Sequence, residues 1–130
     1  MAGGNVTKVP SGSKLGLGFS RAVRVGDMVF VSGCAPIAPD GSVAAPGDMK
    51  AQTKRCLEII EGALVQAGSD IQHVVRTRVF LTDMSRWKEA GEAHGEVFKD
   101  IEPATSFLGT SALINPGWLV EVEADAVVTR

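Results

Sequence analysis

A chain of 130 residues, 45% apolar and 22% charged, fits one globular domain and leaves no room for a second. Thirteen basic against fifteen acidic side chains give a net charge of −2, which excludes nucleic-acid binding through bulk charge, because counterion release needs a basic surface. No apolar run approaches the ~20 residues that cross a bilayer, the opening MAGGNVTKVPSG has no signal-like stretch, and two cysteines, Cys34 and Cys56, are too few for a disulfide framework. The expectation is a cytoplasmic protein with no membrane and no nucleic-acid partner.

Residues 1–14, rich in Gly, Ser and Lys, read as a flexible or loosely paired lead-in to a single domain over 1–130. FSRAVRV (19–25) and MVFVS (28–32) are β-rich and flank Gly26-Asp27, a glycine-first hairpin signal. Residues 33–47, with three prolines and an Asp40-Gly41 turn, read as a long irregular connection. The spacing predicts a helix over 48–67: Asp48 as N-cap, Gly68 at C′, and Met49, Cys56, Leu57, Ile60, Ala63, Leu64 and Ala67 in one apolar stripe. Lys54 and Glu58 are expected to pair on its outer side.

HVVRTRVFLTD (73–83) predicts a strand with Val75, Thr77, Val79 and Leu81 on one face and Arg76, Arg78, Phe80 and Thr82 on the other. Ser85 is expected to cap a second helix whose stripe is Trp87, Ala90, His94, Val97 and Phe98, followed by Pro103. ATSFLGTSAL (104–113) reads as a strand, Asn115-Pro116-Gly117 as a turn, and WLVEVEADAVV (118–128) as a strictly alternating last strand. The order ββ-α-β-α-ββ predicts an α+β layer fold with two helices on one face of a mixed sheet. Its opposite face, mixing Arg, Phe and acids, suits a partly polar subunit interface.

Metal and nucleotide chemistry have little support. There are two histidines, His73 and His94, and no tyrosine. No C-x-x-C, H-E-x-x-H, calcium loop or phosphate loop is present, and LGLGFS (15–20) precedes a strand rather than opening a helix. Cys34 has no neighbour that clearly lowers its pKa and reads as inert, and Cys56 belongs to the helix stripe. Trp87 and Trp118 read as core or interface anchors.

The runs FSRAVRVGDMVFVSG, QTKRCLEIIEGALVQAGSDIQHVVRTRVFLTDMSRW, PATS and LVEVEADAV, from about residue 15 to residue 128, resemble the RidA/YjgF family of small proteins, also called L-PSP endoribonuclease-like. The resemblance implies a chorismate-mutase-like fold and a homotrimer with a small-molecule cleft between each pair of subunits. It also implies hydrolysis of reactive enamines and imines to keto acids and ammonia, with no cofactor or metal. In active members an arginine binds the substrate carboxylate and a water activated near a glutamate attacks the imine carbon.

Carried over residue by residue, the resemblance places Glu121 as the catalytic acid and Ser32 and Gly33 at the strand end that frames the cleft. Phe19 stands where active members have tyrosine, Gly91 where they have asparagine, Thr105 where they have the arginine, and Phe107 where they have a cysteine. A guanidinium fork makes two charge-assisted hydrogen bonds of roughly 1.5–3 kcal/mol each, and a threonine hydroxyl offers one neutral bond. The expectation is therefore a branch without the arginine, with weak activity on 2-aminoacrylate-type imines unless another cation enters. Arg78, or Arg76, is the candidate for that cation; otherwise Arg78 is an interface ion-pair partner. His94 is either a packed core histidine or an acid–base group lining the cleft. The leading functional reading is an imine or enamine hydrolase of the deaminase type acting on a metabolite that need not be an α-carboxylate. The alternative is a non-enzymatic metabolite-binding or protein-interaction module on the same fold. A ribonuclease gains no support from the charge or from any paired catalytic residues.

Overall fold

Two β-rich runs around Gly26-Asp27 form the expected hairpin. β2 (Ser20–Val25) pairs antiparallel with β3 (Met28–Cys34), and Gly26 takes the left-handed φ of 59° that such a turn requires. The structure, a computed structural model, describes residues 5–129. Within them part of the lead-in is itself a strand: β1 (Val6–Pro10) pairs antiparallel with β2, Val6 opposite Val25. Of its side chains only Val9 is buried. Backbone pairing to an open sheet edge holds it rather than burial, so composition carries little trace of it. Residues 1–4 of the lead-in lie outside the described residues.

Helix α1 (Met49–Gln66) starts as predicted, with the Asp48 carboxylate accepting from Ala51 N at 2.9 Å, and Gly68 follows its end at φ 77°. Its buried stripe is the predicted one, widened by Gln52 and Thr53. Gln52 is buried because its amide is fully used: Nε2 donates to Ala44 O and Gly117 O, and Oε1 accepts from Leu119 N at 2.8 Å. It thereby ties the 33–47 connection to the turn before the last strand. The Lys54–Glu58 pair does not form. Lys50 and Lys54 reach across to Glu96 (2.9 and 3.3 Å) on α2 (Trp87–Phe98), and Arg55 takes Glu58. The two helices pack side by side, so their lysine and glutamate edges meet.

The sheet order is β1-β2-β3-β6-β4-β5, with β4 (Val74–Leu81), β5 (Ala104–Gly109) and β6 (Val120–Val127). All neighbours are antiparallel except β4 and β5, which α2 links in parallel. Both helices cover one face, where Val29, Val31, Val79, Leu81, Val120 and Val122 meet Met49, Ile60 and Leu64 to form the core. This is the expected chorismate-mutase-like α+β architecture.

Three local expectations change. A register shift between Val74 and Arg76 turns Val75 outward and buries Val74 in its place. Ser85 does not cap α2: the Asp83 carboxylate accepts from Ser85 N and caps a short 3₁₀ turn, Met84–Arg86, that precedes the helix. The fifth strand ends at Gly109, and the last begins at Val120, leaving Trp118 in the connection between them.

Candidate functional site

Phe19 immediately precedes β2 and Arg21 lies two residues on, in its first pleat, with Ser32 and Gly33 near the end of β3 beside them. Glu121 lies on the neighbouring β6, on the sheet face away from the helices, in register with Phe80. Together they line a cavity of about 640 Å³. Leu15, Leu17, Ile37, Ile114 and Trp118 supply apolar walls, and Lys14 adds a second cation to Arg21. Leu15, Leu17 and Phe19 all reach the cavity with Gly16 and Gly18 between them in the left-handed region at φ 66° and 76°. The pair of glycines in LGLGFS thus shapes a wall and not a nucleotide loop.

The acid and the glycine are matched. A Cβ on Gly33 would overlap the Glu121 carboxylate, lying 3.0 Å from Cδ and 3.3 Å from Cγ. Glycine here lets the carboxylate lie directly on the strand backbone. Among the described residues that carboxylate takes no hydrogen bond and no ion pair. Burial pushes its pKa above the ordinary range; the Arg21 charge opposes this and Glu123 adds to it. Arg21 Nη1 donates to Gly33 O at 2.9 Å and Ser32 Oγ at 3.2 Å, with Cys34 Sγ at 3.5 Å, and its guanidinium carbon lies 5.8 Å from the Phe19 ring centre. Cys34 is buried behind this group and its thiol is pushed up to about 11, chiefly by burial, so it stays protonated and inert as expected.

The other candidates gather elsewhere. Thr105 and Phe107 are in register with Thr77 and Val79 of β4, on the helix-covered face. Thr105 Oγ1 donates to Pro103 O at 2.9 Å, which uses its single proton. Its 2.7 Å contact with Thr77 therefore has Thr77 as donor, and the 2.8 Å contact between Thr77 and His94 has His94 Nε2–H as donor. The order His94→Thr77→Thr105→Pro103 is the one consistent with Thr105 giving its proton to Pro103 O. His94 is 8% exposed, its ring packs on Phe98 and Phe107 at 4.6 and 5.7 Å between centres, and burial lowers its pKa. Within this chain it is packed and hydrogen-bonded.

Within the chain Glu121 and the Thr105–Phe107 pair therefore lie on opposite faces of the sheet. Gly91 sits on α2, where an added Cβ would meet only Trp87 Cε3 at 3.9 Å. Arg78 faces Glu123 and Asp125 across the β4–β6 pairing, at 3.1 and 3.7 Å, and so is an ion-pair partner. Arg76 stands opposite Asp125 and Ala104 on the same outer face. Neither lines the cavity. Arg21 is a cavity-lining residue that sequence reading did not single out; the signal was its i+2 spacing from Phe19 at the entry to a strand, which puts both on one face. Trp118, read as an anchor, is a cavity wall. Among the described residues no three His, Cys, Asp or Glu side chains gather as metal ligands, and no helix is long and apolar enough to cross a membrane.

The family described as Endoribonuclease L-PSP matches residues 14–128. A RutC family protein of Pyrococcus abyssi is 36% identical over 108 residues, covering 83% of this chain and 84% of the relative. The crystal structure of Rv2704 from Mycobacterium tuberculosis, a member of the YjgF/YER057c/UK114 family, is 48% identical with a TM-score of 0.84, covering 95% of this chain and 99% of that one. Escherichia coli TdcF with bound serine is 28% identical with a TM-score of 0.78, covering 85% and 88%. The family match over nearly the whole length, on the fold just described, assigns the chain to the RidA/YjgF family.

Proposed function

We propose that the cavity is one wall of a small-molecule cleft in which Glu121 directs a water at an electrophilic carbon. The observation that carries this is a half-buried carboxylate, without hydrogen-bond partners among the described residues, in a largely apolar cavity. Burial raises its proton affinity, which suits general acid–base work. For an imine, Glu121 takes a proton from water as the oxygen bonds to the C=N carbon. The nitrogen is then protonated and leaves as ammonia, and a carbonyl compound remains. No bound cofactor is needed for this step. TdcF, a relative of the same fold, was solved with serine bound, which favours a ligand of amino-acid size.

The cleft is completed by another copy of the chain in a homotrimer. The outer sheet face leaves Phe30 and Met28 more than two-fifths exposed, beside the Arg78–Glu123 pair, the mixture expected of a partly polar interface. A neighbour's Gly91, Thr105 and Phe107 would form the facing wall, the arrangement the family resemblance implies. Because the Thr105 hydroxyl proton is committed to Pro103 O, that wall offers a carboxylate no donor from Thr105. The substrate is therefore not bound as a standard 2-aminoacrylate deaminase would bind it.

The test is release of ammonia from imines generated in situ, compared for Glu121→Gln, Glu123→Gln and Asp125→Asn, with sedimentation of each. Glu121→Gln should lose turnover at least tenfold more than the others while all remain trimers. Equal small effects, or a monodisperse monomer, would overturn the reading. Ligand binding without turnover in the wild-type protein would instead favour a metabolite-binding module.

A further inference from the structure

We propose that Arg21 is the anion seat of this cavity and that the ligand is a small carboxylate held on the free edge of its guanidinium. The inference rests on the reading of the cavity as a small-molecule cleft. Arginine carries five N–H donors in a rigid fork. Among the described residues all hydrogen bonds of Arg21 leave from Nη1, to Gly33 O, Ser32 Oγ and Cys34 Sγ. Nε and Nη2 carry none. These two nitrogens share the side of the guanidinium that accepts a carboxylate bidentately.

The guanidinium is also in no ion pair among the described residues. Arg24, Arg55, Arg78 and Arg86 each sit in an ion pair, whereas Arg21 has none among the described residues. It lines a cavity whose walls are otherwise mostly apolar. The bonds from Nη1 to the β3 strand end hold the fork in place, so little side-chain freedom is lost when a ligand arrives. Glu121 lines the same cavity, and an anion seated on Arg21 would repel its ionised form. Carboxylate binding should therefore be accompanied by proton uptake at Glu121, and removing the Glu121 charge should tighten it.

The experiment uses the full chain, ¹⁵N-labelled, with pyruvate as probe and pyruvamide as its neutral counterpart. Pyruvate should saturably shift the Arg21 Nε–H signal and the Ser32 and Gly33 amides, and pyruvamide should not. Arg21→Gln should weaken pyruvate binding at least tenfold, Arg21→Lys severalfold, and Glu121→Gln should strengthen it severalfold. Thermal melting checks that each variant is folded; if Arg21→Gln is not, Arg21→Lys, which keeps the charge and loses the fork, decides. Equal response to pyruvate and pyruvamide, no saturable shift at tens of millimolar pyruvate, or wild-type affinity in the folded Arg21 variant would overturn the proposal. The outcomes separate from those of the hydrolase reading. Arg21-dependent binding without imine turnover leaves the seat standing and removes the enzyme, whereas Glu121-dependent turnover with no Arg21 effect does the reverse.

Discussion

Replacing Thr77 by valine tests the hydrogen-bonded line through the second group of candidate residues. Thr77 is fully buried and its hydroxyl both accepts from His94 Nε2–H at 2.8 Å and donates to Thr105 at 2.7 Å. Valine has nearly the same shape, so packing is conserved and the loss is polar. A buried donor left without an acceptor costs about 1–3 kcal/mol, here the His94 N–H, offset in part by burying a methyl in place of a hydroxyl. The net expectation is ~2 kcal/mol. Unfolding entropy of about 2.1 cal/mol/K per residue gives ~0.27 kcal/mol/K for a chain of 130 residues, so Tm should fall by ~7 °C. Thr77→Ser, which keeps the oxygen, should lose less than Thr77→Val. In the double variant Thr77→Val/Thr105→Val the losses should be less than additive, because the second change removes a partner already lost. Scanning calorimetry measures the wild type, these three variants and the single variant Thr105→Val that the comparison of losses requires, and long-range ¹⁵N spectra of His94 report which ring nitrogen holds the proton. A Tm within 1 °C of wild type for Thr77→Val, or a proton on Nδ1 of neutral His94, would refute the assigned order and with it the conclusion that Thr105 has no proton to offer a ligand.

Gly33→Ala should displace the Glu121 carboxylate, since its Cβ would lie 3.0 Å from Cδ; the expected readout is at least tenfold lower Glu121-dependent turnover with little change in stability, because the flexible carboxylate arm can swing aside. Burial lowers the His94 pKa, so the neutral form is favoured on folding. Its contribution is fully present above the unfolded value of about 6.5 and is lost as pH falls from there through the folded pKa. His94→Gln should flatten that part of a urea-denaturation pH profile, and an unchanged slope would count against it. Glu121 has the opposite sign: its raised pKa means stability is lost as pH rises past the ordinary carboxyl value, and Glu121→Gln should stabilise the protein more at pH 7 than at pH 4. Turnover of 2-aminoacrylate should be at least tenfold below that of an arginine-bearing relative, and Arg21→Gln should reduce it further; parity with such a relative would show that loss of the arginine had been fully compensated.

Local pattern in the sequence determined most of the elements. The 3.6-residue stripe and caps specified α1, strict alternation specified β6, and the Gly26-Asp27 pair specified the β2–β3 hairpin, because each depends on residues a few positions apart. The resemblance carried by those runs led to Glu121, Ser32, Gly33 and Phe19, which the structure gathers in one cavity. Tertiary structure decided what depends on distant pairings. Val6–Pro10 is a strand only because β2 presents an open edge. Val75 is exposed only because β4 slips one residue against β6. Lys54 finds Glu96 rather than Glu58 only because α2 lies alongside α1. Glu121 and Thr105 fall on opposite faces through the strand register, and Arg21 becomes a cavity cation through the return of β3 beneath it. Side-chain parity along a strand is set by covalent geometry and is therefore legible in sequence. Which strands are neighbours, and in what register, is set by the burial of all faces at once.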